Sequence, residues 1–268
     1  MGMKYSLSAK NLVCRNLETH ASYCAGLLNP DHTREITGIL RVDSGLLSYS
    51  LNRTVTNTVM PARILRRFVV EYFAERHSPF TLWHCANKPL DDAEMEELGF
   101  TRREPMVAMV AEVQRLAMEE SLTEDLRGGL EIAPVTADNL MEYGDLQAAQ
   151  FAGEREGPQL KKFYHHLHGL PESKRSRLKL FLARLGSEPV AGGCLFASAD
   201  ALGFYDLLTL EAYRERGIGK ALFCHLLEQA SHSHQKHAVA LTAPDKQELL
   251  LEAGFFAVGE VAQYRFEP

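Results

Sequence analysis

The chain of 268 residues is nearly twice the length of an average domain, so two medium domains are expected, with one large domain as the alternative. Hydrophobic residues at 46% and charged residues at 24% exclude a disordered, collagen-like or low-complexity chain, and no apolar run approaches the ~20 residues needed to cross a bilayer. The formal charge is −6 and acidic residues exceed basic ones in both halves, which argues against a nucleic-acid partner.

In the first half, Ile36–Val42 and Leu46–Leu51 are expected to form a hairpin around Asp43-Ser44-Gly45, with Val55–Val59 as a further strand. Ile64, Leu65, Phe68, Val69, Tyr72 and Phe73 recur at helical spacing. Phe80–His84 reads as a strand and Asp92–Leu98 as a short helix. Gly99-Phe100 then leads into a strand at Val107–Val113. Glu119, Glu120, Glu124, Asp125 and the pair Gly128-Gly129 read as a linker, which predicts domains at 1–125 and 126–268.

The second half opens with a strand at Leu130–Ala133 and a helix, capped by Thr136 or Asp138, that runs toward Phe151. A polar break at Gly153–Pro158 precedes a helix at Leu160–Leu167. Leu178–Ala183 and Val190–Ala197 form a hairpin about Gly186-Ser187. Leu202–Leu210 is apolar nearly throughout, which suits a central strand. Leu222, Phe223, Leu226, Leu227 and Ala230 mark a helix after Gly217. A strand at Ala238–Thr242 and a helix at Asp245–Ala253 follow, ended by Gly254, and a strand pair near Val258 and Tyr264 closes the chain. The two Gly-Phe pairs, at Gly99 and Gly254, stand 155 residues apart in matching element order. That points to a duplicated domain, a chance sharing of a common order being the alternative.

The segment Leu207-Leu208-Thr209-Leu210-Glu211-Ala212-Tyr213-Arg214-Glu215-Arg216-Gly217-Ile218-Gly219-Lys220 carries the chemistry. It combines a buried strand, a tight glycine loop and a helix start. Two glycines let backbone N–H groups approach an anion without Cβ obstruction, and the helix adds its unpaired N–H groups and dipole. Arg214, Arg216 and Lys220 add positive charge, which suits a phosphate or diphosphate. A P-loop does not fit, because Arg214 stands at its first glycine and Ala221 at its Ser/Thr. A Rossmann fingerprint fails at Leu222. A glycine turn before an ordinary helix is the plain alternative.

Arg214-x-x-Gly217-x-Gly219 resembles motif A of the GNAT acetyltransferases, and Leu249–Phe255 looks like the family's motif B. The resemblance covers roughly residues 129–268. It implies an α+β fold of two GNAT-like domains, each a mixed, mostly antiparallel sheet flanked by helices, the first of them degenerate. It also implies acetyl-CoA as co-substrate, an amine as acceptor and no metal. By position, Leu207, Leu208 and Thr209 would offer backbone groups to the pantetheine arm. Arg214, Glu215, Arg216, Gly217, Ile218, Gly219 and Lys220 would surround the diphosphate. In the first half the equivalent loop, Val59-Met60-Pro61-Ala62-Arg63, has no glycine and is not expected to bind CoA in the usual way.

The family's usual proton-handling residues are absent from the matched positions. Leu250 stands where many relatives have a Tyr, and Gly203 where some have a Glu. Tyr205 and Asp206 on the central strand are the nearest replacements, with Tyr264 and Thr242 as weaker candidates. This leaves three readings: an N-acetyltransferase, a non-catalytic acyl-CoA-binding or sensor module, or a structural or partner-binding protein whose CoA loop is vestigial, against which both glycines and the three basic residues count. Glu154, Arg155 and Glu156 could attract a cationic amine, or form a solvated loop. The histidines near 165–168 and 232–237 read as solvated surface rather than metal ligands. The five cysteines are far apart and odd in number. With Lys4 and Lys10 breaking any signal-peptide core, a cytoplasmic location is expected, without a membrane or nucleic-acid partner.

Overall fold

In the computed structural model, residues 2–31, 33–36, 38–118, 126 and 128–268 are described. The elements in chain order are α1 (Gly2–Gly26), β1 (Thr33–Ile36), β2 (Ile39–Val42), β3 (Arg53–Thr56), α2 (Ala62–Leu65), a π turn (Arg66–Val70), α3 (Glu71–Ala74), β4 (Phe80–His84), α4 (Asp92–Glu97) and β5 (Phe100–Glu112). There follow β6 (Leu130–Pro134), α5 (Leu140–Ala149), α6 (Glu156–His168), α7 (Glu172–Arg175), β7 (Leu178–Leu185), β8 (Glu188–Ala197), β9 (Leu202–Thr209), α8 (Ile218–Ser231), β10 (His237–Thr242), α9 (Glu248–Glu252) and β11 (Phe256–Phe266). The chain divides into two compact units. Unit 1 holds the residues up to Ala108 with Thr242–Asp245 and Ala257–Pro268; unit 2 holds Met109–Leu241 and Lys246–Phe256. Most of the expected linker, residues 119–125 and 127, lies outside the described residues.

Unit 1 has strands in the order β1-β2-β3-β4-β11. Neighbours are antiparallel except β3 and β4, which run parallel from Arg53↔Thr81 to Thr56↔His84. The amphipathic helix expected from Ile64 to Phe73 is present. It buries Leu65, Val69, Val70 and Phe73 against Phe80 and Leu82 of β4. Its middle widens into the π turn, where Arg41 Nη1 donates to the Phe68 carbonyl at 2.6 Å; an outside donor reaching into a helix ladder is a usual accompaniment of such a turn. Gly99, at φ +85, turns the chain so that Phe100 packs on Phe80, Phe266 and Tyr264.

Three expectations for unit 1 are corrected. The 25-residue helix α1 carries no strong apolar stripe, and the sequence reading passed over it. Its inner face runs Val13, Cys14, Leu17, Ala21, Cys24 and Ala25 at helical spacing, but it also buries Lys10, Asn16 and His20. Small and polar members masked the period. Secondly, the hairpin is β1 with β2, turned at Gly38 (φ +78), and Leu46–Leu51 is turn rather than strand. The cause is Asn52, which is fully buried. Its Oδ1 accepts from Ser44 N at 2.8 Å and Ser44 Oγ at 2.7 Å, and its Nδ2 donates to Leu46 O at 2.8 Å, Ser78 Oγ at 2.9 Å and Pro79 O at 3.1 Å. Side-chain bonds to the backbone thus outcompete a strand ladder. Thirdly, the expected terminal strand pair is a single strand, β11, continuous through Gly259 at φ +142.

Unit 2 has strands in the order β10-β9-β8-β7-β6. β6 to β9 are antiparallel neighbours, and β9 and β10 are parallel. Two adjacent glycines of β8 bring a helix onto each face. A Cβ on Gly192 would meet Leu146 of α5 at 2.8 Å, and one on Gly193 would meet Leu226 of α8 at 2.9 Å. Each unit is therefore a mixed, mostly antiparallel sheet with helices against it, as the sequence implied. The expected strands β6 to β10 and helices α5, α6 and α8 are all present, with ends shifted by a few residues. The helix expected at Asp245–Ala253 is a 3₁₀ turn at Pro244–Lys246 followed by α9.

Candidate acyl-CoA site in the C-terminal unit

Three local features of unit 2 make the site. The first is the glycine loop. Gly217 is the N-cap of α8 at φ +82, and Glu215 holds the same left-handed region at φ +60. A left-handed residue directly before the right-handed start of a helix, as Gly217 is before α8, can turn neighbouring amide N–H groups toward one point, the geometry of an anion-binding nest. The first N–H groups of α8 have no intrahelical carbonyl to bond and extend that positive end. A Cβ on Gly219 would lie 2.9 Å from Thr209 Oγ1, so the helix start can sit against β9 because residue 219 is glycine.

The expected cationic side chains are anchored to the protein. Arg214 Nε donates to the Thr209 carbonyl at 3.3 Å, and Lys220 Nζ pairs with Glu252 of α9 at 2.8 Å. The Arg216 guanidinium lies 5.8 Å from the Tyr213 ring centre. Backbone amides, rather than fully extended cations, are the prominent feature of the loop.

The second feature is a gap between strands. The parallel register of β9 with β10 runs from Leu202↔Ala238 to Phe204↔Ala240, while β9 continues to Thr209. Beyond Phe204 the edge of β9 facing β10 is left out of that ladder. Leu207, Leu208 and Thr209 lie on this stretch, and Leu207 is 41% exposed.

The third feature is a bulge at the start of the gap. The pairing of β8 with β9 jumps from Cys194↔Tyr205 to Gly192↔Leu208, so β9 carries one extra residue. Asp206 sits in the bulge at φ +55. A left-handed L-residue costs about 1–2 kcal/mol, and Asp and Asn bear it most often among non-glycines. The Asp206 carbonyl accepts from Gln147 Nε2 of α5 at 2.9 Å. Asp206 itself is exposed; Tyr205 is half-buried, its ring edge-on to Phe196 at 6.3 Å.

Of the other candidates, Tyr264 belongs to unit 1. It is buried, and its OH donates to Asp92 Oδ1 at 3.0 Å. Thr242 also falls in unit 1. Leu250 is a buried packing residue of α9. Gly254, at φ +95, delivers Phe255 onto Phe204 and Phe223, each close to right-angled or tilted contact at 5.6 and 6.4 Å, so the Gly-Phe pair ties α9 to β9 and α8. Glu156 is buried at the first turn of α6, although its neighbours Glu154 and Arg155 are exposed. Sequence reasoning missed Gln147 and Tyr143. Both belong to the buried face of α5 with Leu140 and Gly144, and a glutamine at such a position is the signal. Burial drives the Tyr143 phenol well above its ordinary value, the neighbouring Tyr164 and Asp206 acting in the same direction.

Residues 114–242 match the family model described as the acetyltransferase (GNAT) domain. This stretch, just under half of the chain, is similar to that domain. A comparison with curated proteins gives no match. Solved structures give many. A GCN5-related N-acetyltransferase from Kribbella flavida has TM-score 0.65 at 15% identity, over 96% of each chain. A functionally unknown conserved protein from Staphylococcus epidermidis has TM-score 0.67 at 16% identity, over 87% of this chain and 92% of that one. A tandem GNAT protein from the clavulanic acid biosynthesis pathway has TM-score 0.55 at 11% identity, over 99% of this chain and 96% of that one. At these identities the likeness is one of fold. The matched stretch contains the glycine loop, the bulge and the open strand edge; it ends before α9 and its Gly-Phe pair.

In unit 1 the loop expected to be equivalent lies between β3 and β4, which are parallel. There the loop into α2 carries Pro61 as N-cap in place of a glycine, and a cleft of about 340 Å³ is lined by Met60, Leu65, Lys88, Leu90, Asp91 and Met95 among others. Proline offers no N–H to an anion. Among the described residues, no group of three His, Cys, Asp or Glu could hold a metal ion, and no helix is long and apolar enough to cross a membrane.

Proposed function

We propose that the C-terminal part of the chain is an acetyl-CoA-dependent N-acetyltransferase that moves an acetyl group to a primary amine by direct attack within a ternary complex. The observation that carries this reading is the conjunction of the left-handed glycine loop at Glu215–Gly219 with the bulged, open edge of β9. Acetyl-CoA brings the activated acyl group as a co-substrate. The amides of the loop from Arg214 to Lys220 hold its diphosphate, and the backbone of Leu207, Leu208 and Thr209 aligns its arm. A peptide N–H at the bulge faces the growing negative charge on the acyl oxygen, which is where fixed dipoles contribute most. Proximity supplies much of the remaining acceleration. Tyr205 and Asp206 border the same point. Asp206 takes one proton from the incoming ammonium; Tyr205 gives one to the departing thiolate and regains one from the newly acylated nitrogen as the C–S bond breaks.

We further read the chain as a tandem arrangement, the expected domains at 1–125 and 126–268 having as their compact counterparts unit 1, which also takes in β11, and unit 2; the first has lost the phosphate loop. The parallel strand pair and the Gly-Phe corner in each unit support this, as does the likeness to a tandem GNAT protein. A cytoplasmic location fits five cysteines that form no disulfide among the described residues. The second reading, an acyl-CoA sensor without transferase activity, is favoured by Leu250 and Gly203 at the family's usual acid and base positions.

Titration calorimetry with acetyl-CoA tests both readings. Binding that Gly219→Glu abolishes is expected, and no heat at millimolar ligand overturns both. Thiol release across a panel of small amines, polyamines, aminoglycosides and peptide N-termini then separates them. One efficient acceptor establishes the transferase, and binding without any transfer establishes the sensor.

A further inference from the structure

Gln147 is a polar side chain, 3% exposed, on the inner face of α5. Its Nε2 donates to the Asp206 carbonyl at 2.9 Å. Two neighbours aim it. Gln150 Nε2 donates to Gln147 Oε1 at 3.4 Å, which turns the other end of the carboxamide, its NH₂, toward β9. A Cβ on Gly192 would stand 3.3 Å from Gln147 Nε2, so glycine in β8 is what lets the amide pass over that strand. In a regular strand the carbonyl of residue 206 would join a ladder; here it is drawn to a helix side chain, and the residue is left-handed.

We propose that Gln147 is a positioning residue for the acyl-CoA arm. By holding the Asp206 carbonyl it keeps that peptide out of the ladder and fixes Leu207, Leu208 and Thr209 as one wall of the gap beside β10. The inference rests on the acetyl-CoA reading above and deepens it. It gives α5 a part in cofactor alignment that neither the glycine loop nor the family's motifs contain. Asp206 is then placed through its backbone, independently of any task its carboxylate performs.

The test compares two ligands on the full chain: acetyl-CoA, and adenosine 3′,5′-bisphosphate, which has the nucleotide end without the pantetheine arm. Gln147→Glu keeps the size and removes the donor; Gln147→Met removes all hydrogen bonding. Both should raise the Kd for acetyl-CoA about five- to tenfold, the worth of one hydrogen bond, and change the bisphosphate less than twofold. Amide exchange at Leu207 and Leu208 should quicken in the same variants without ligand. Equal weakening of both ligands, or unchanged acetyl-CoA affinity with wild-type binding intact, overturns the role of Gln147. Failure of the wild-type protein to bind either ligand instead overturns the acetyl-CoA reading, and the inference falls with it.

Discussion

Gly219 at the start of α8 and Thr209 at the end of β9 are matched so closely that a methyl group on the first would stand 2.9 Å from the hydroxyl oxygen of the second. A side chain at residue 219 would force the Thr209 hydroxyl to turn away or the loop between them to shift. Gly219→Ala should push the helix start off the strand and weaken acetyl-CoA binding at least tenfold, at a cost in stability of about 1–3 kcal/mol. Thr209→Ala in the same chain removes the obstructing oxygen and should restore part of both. Calorimetry and urea unfolding of the two single variants and the double variant measure the coupling.

The left-handed Asp206 separates backbone from carboxylate. Asn tolerates that conformation nearly as well as Asp, whereas Ala does not. Asp206→Asn should leave acetyl-CoA affinity within about twofold and lower the transfer rate, while Asp206→Ala should harm both. Tyr205→Phe should lower transfer by about 10²-fold, with affinity kept. Thiol release at saturating acceptor reads the rate and calorimetry the affinity. A transfer rate unchanged in both Asp206→Asn and Tyr205→Phe would leave proton movement to water.

Asn52 organises the segment that looked like a strand. Replacing it by Ala leaves buried Ser44 and Ser78 and two half-buried carbonyls, those of Leu46 and Pro79, without their partner. A loss of about 2–3 kcal/mol in unfolding free energy is expected, because stranded buried polar groups carry their full desolvation penalty. Chemical denaturation of Asn52→Ala checks this. Acetyl-CoA affinity, which lies in unit 2, should not change.

Tyr264 gives unit 1 an alkaline signature. Burial, then the hydrogen bond to Asp92 and its charge, push the phenol from an ordinary value near 10 up to about 12. A raised tyrosine stays neutral in the native state where the unfolded chain has already ionised. Its contribution is thus complete below pH 10 and is lost as pH rises from 10 through 12. Ultraviolet titration should show a phenol ionising near 12 that disappears in Tyr264→Phe. The variant's stability should fall less steeply over the same interval.

Much of the fold was legible because its periods were clean. Phe80–His84 alternates between buried faces, and the helix from Ile64 to Phe73 repeats apolar residues every three or four positions. The glycine loop was equally plain, since few arrangements call for glycines at 217 and 219 beside three cations. α1 escaped because its buried face mixes cysteine and alanine with Asn16 and His20. The turn at 46–51 escaped because its cause lies in the contacts of Asn52 with residues up to 79, which no local window contains. The bulge at Asp206 was half legible: the aspartate in an apolar run was noticed, but its left-handed backbone and its tie to Gln147 need the register of β8 against β9.

The pairing of β11 with β4 joins Phe266 to Phe80 and Ala262 to His84. Unit 1 is thus assembled from segments far apart in the sequence. During synthesis its sheet stays one strand short, with Phe80, Phe100 and their neighbours incompletely covered, until β11 has been made. Such late, distant closure slows acquisition of the native state and lengthens exposure to chaperones. A cut after Phe255 would therefore injure unit 1, whose strand β4 lies about 170 residues earlier in the sequence.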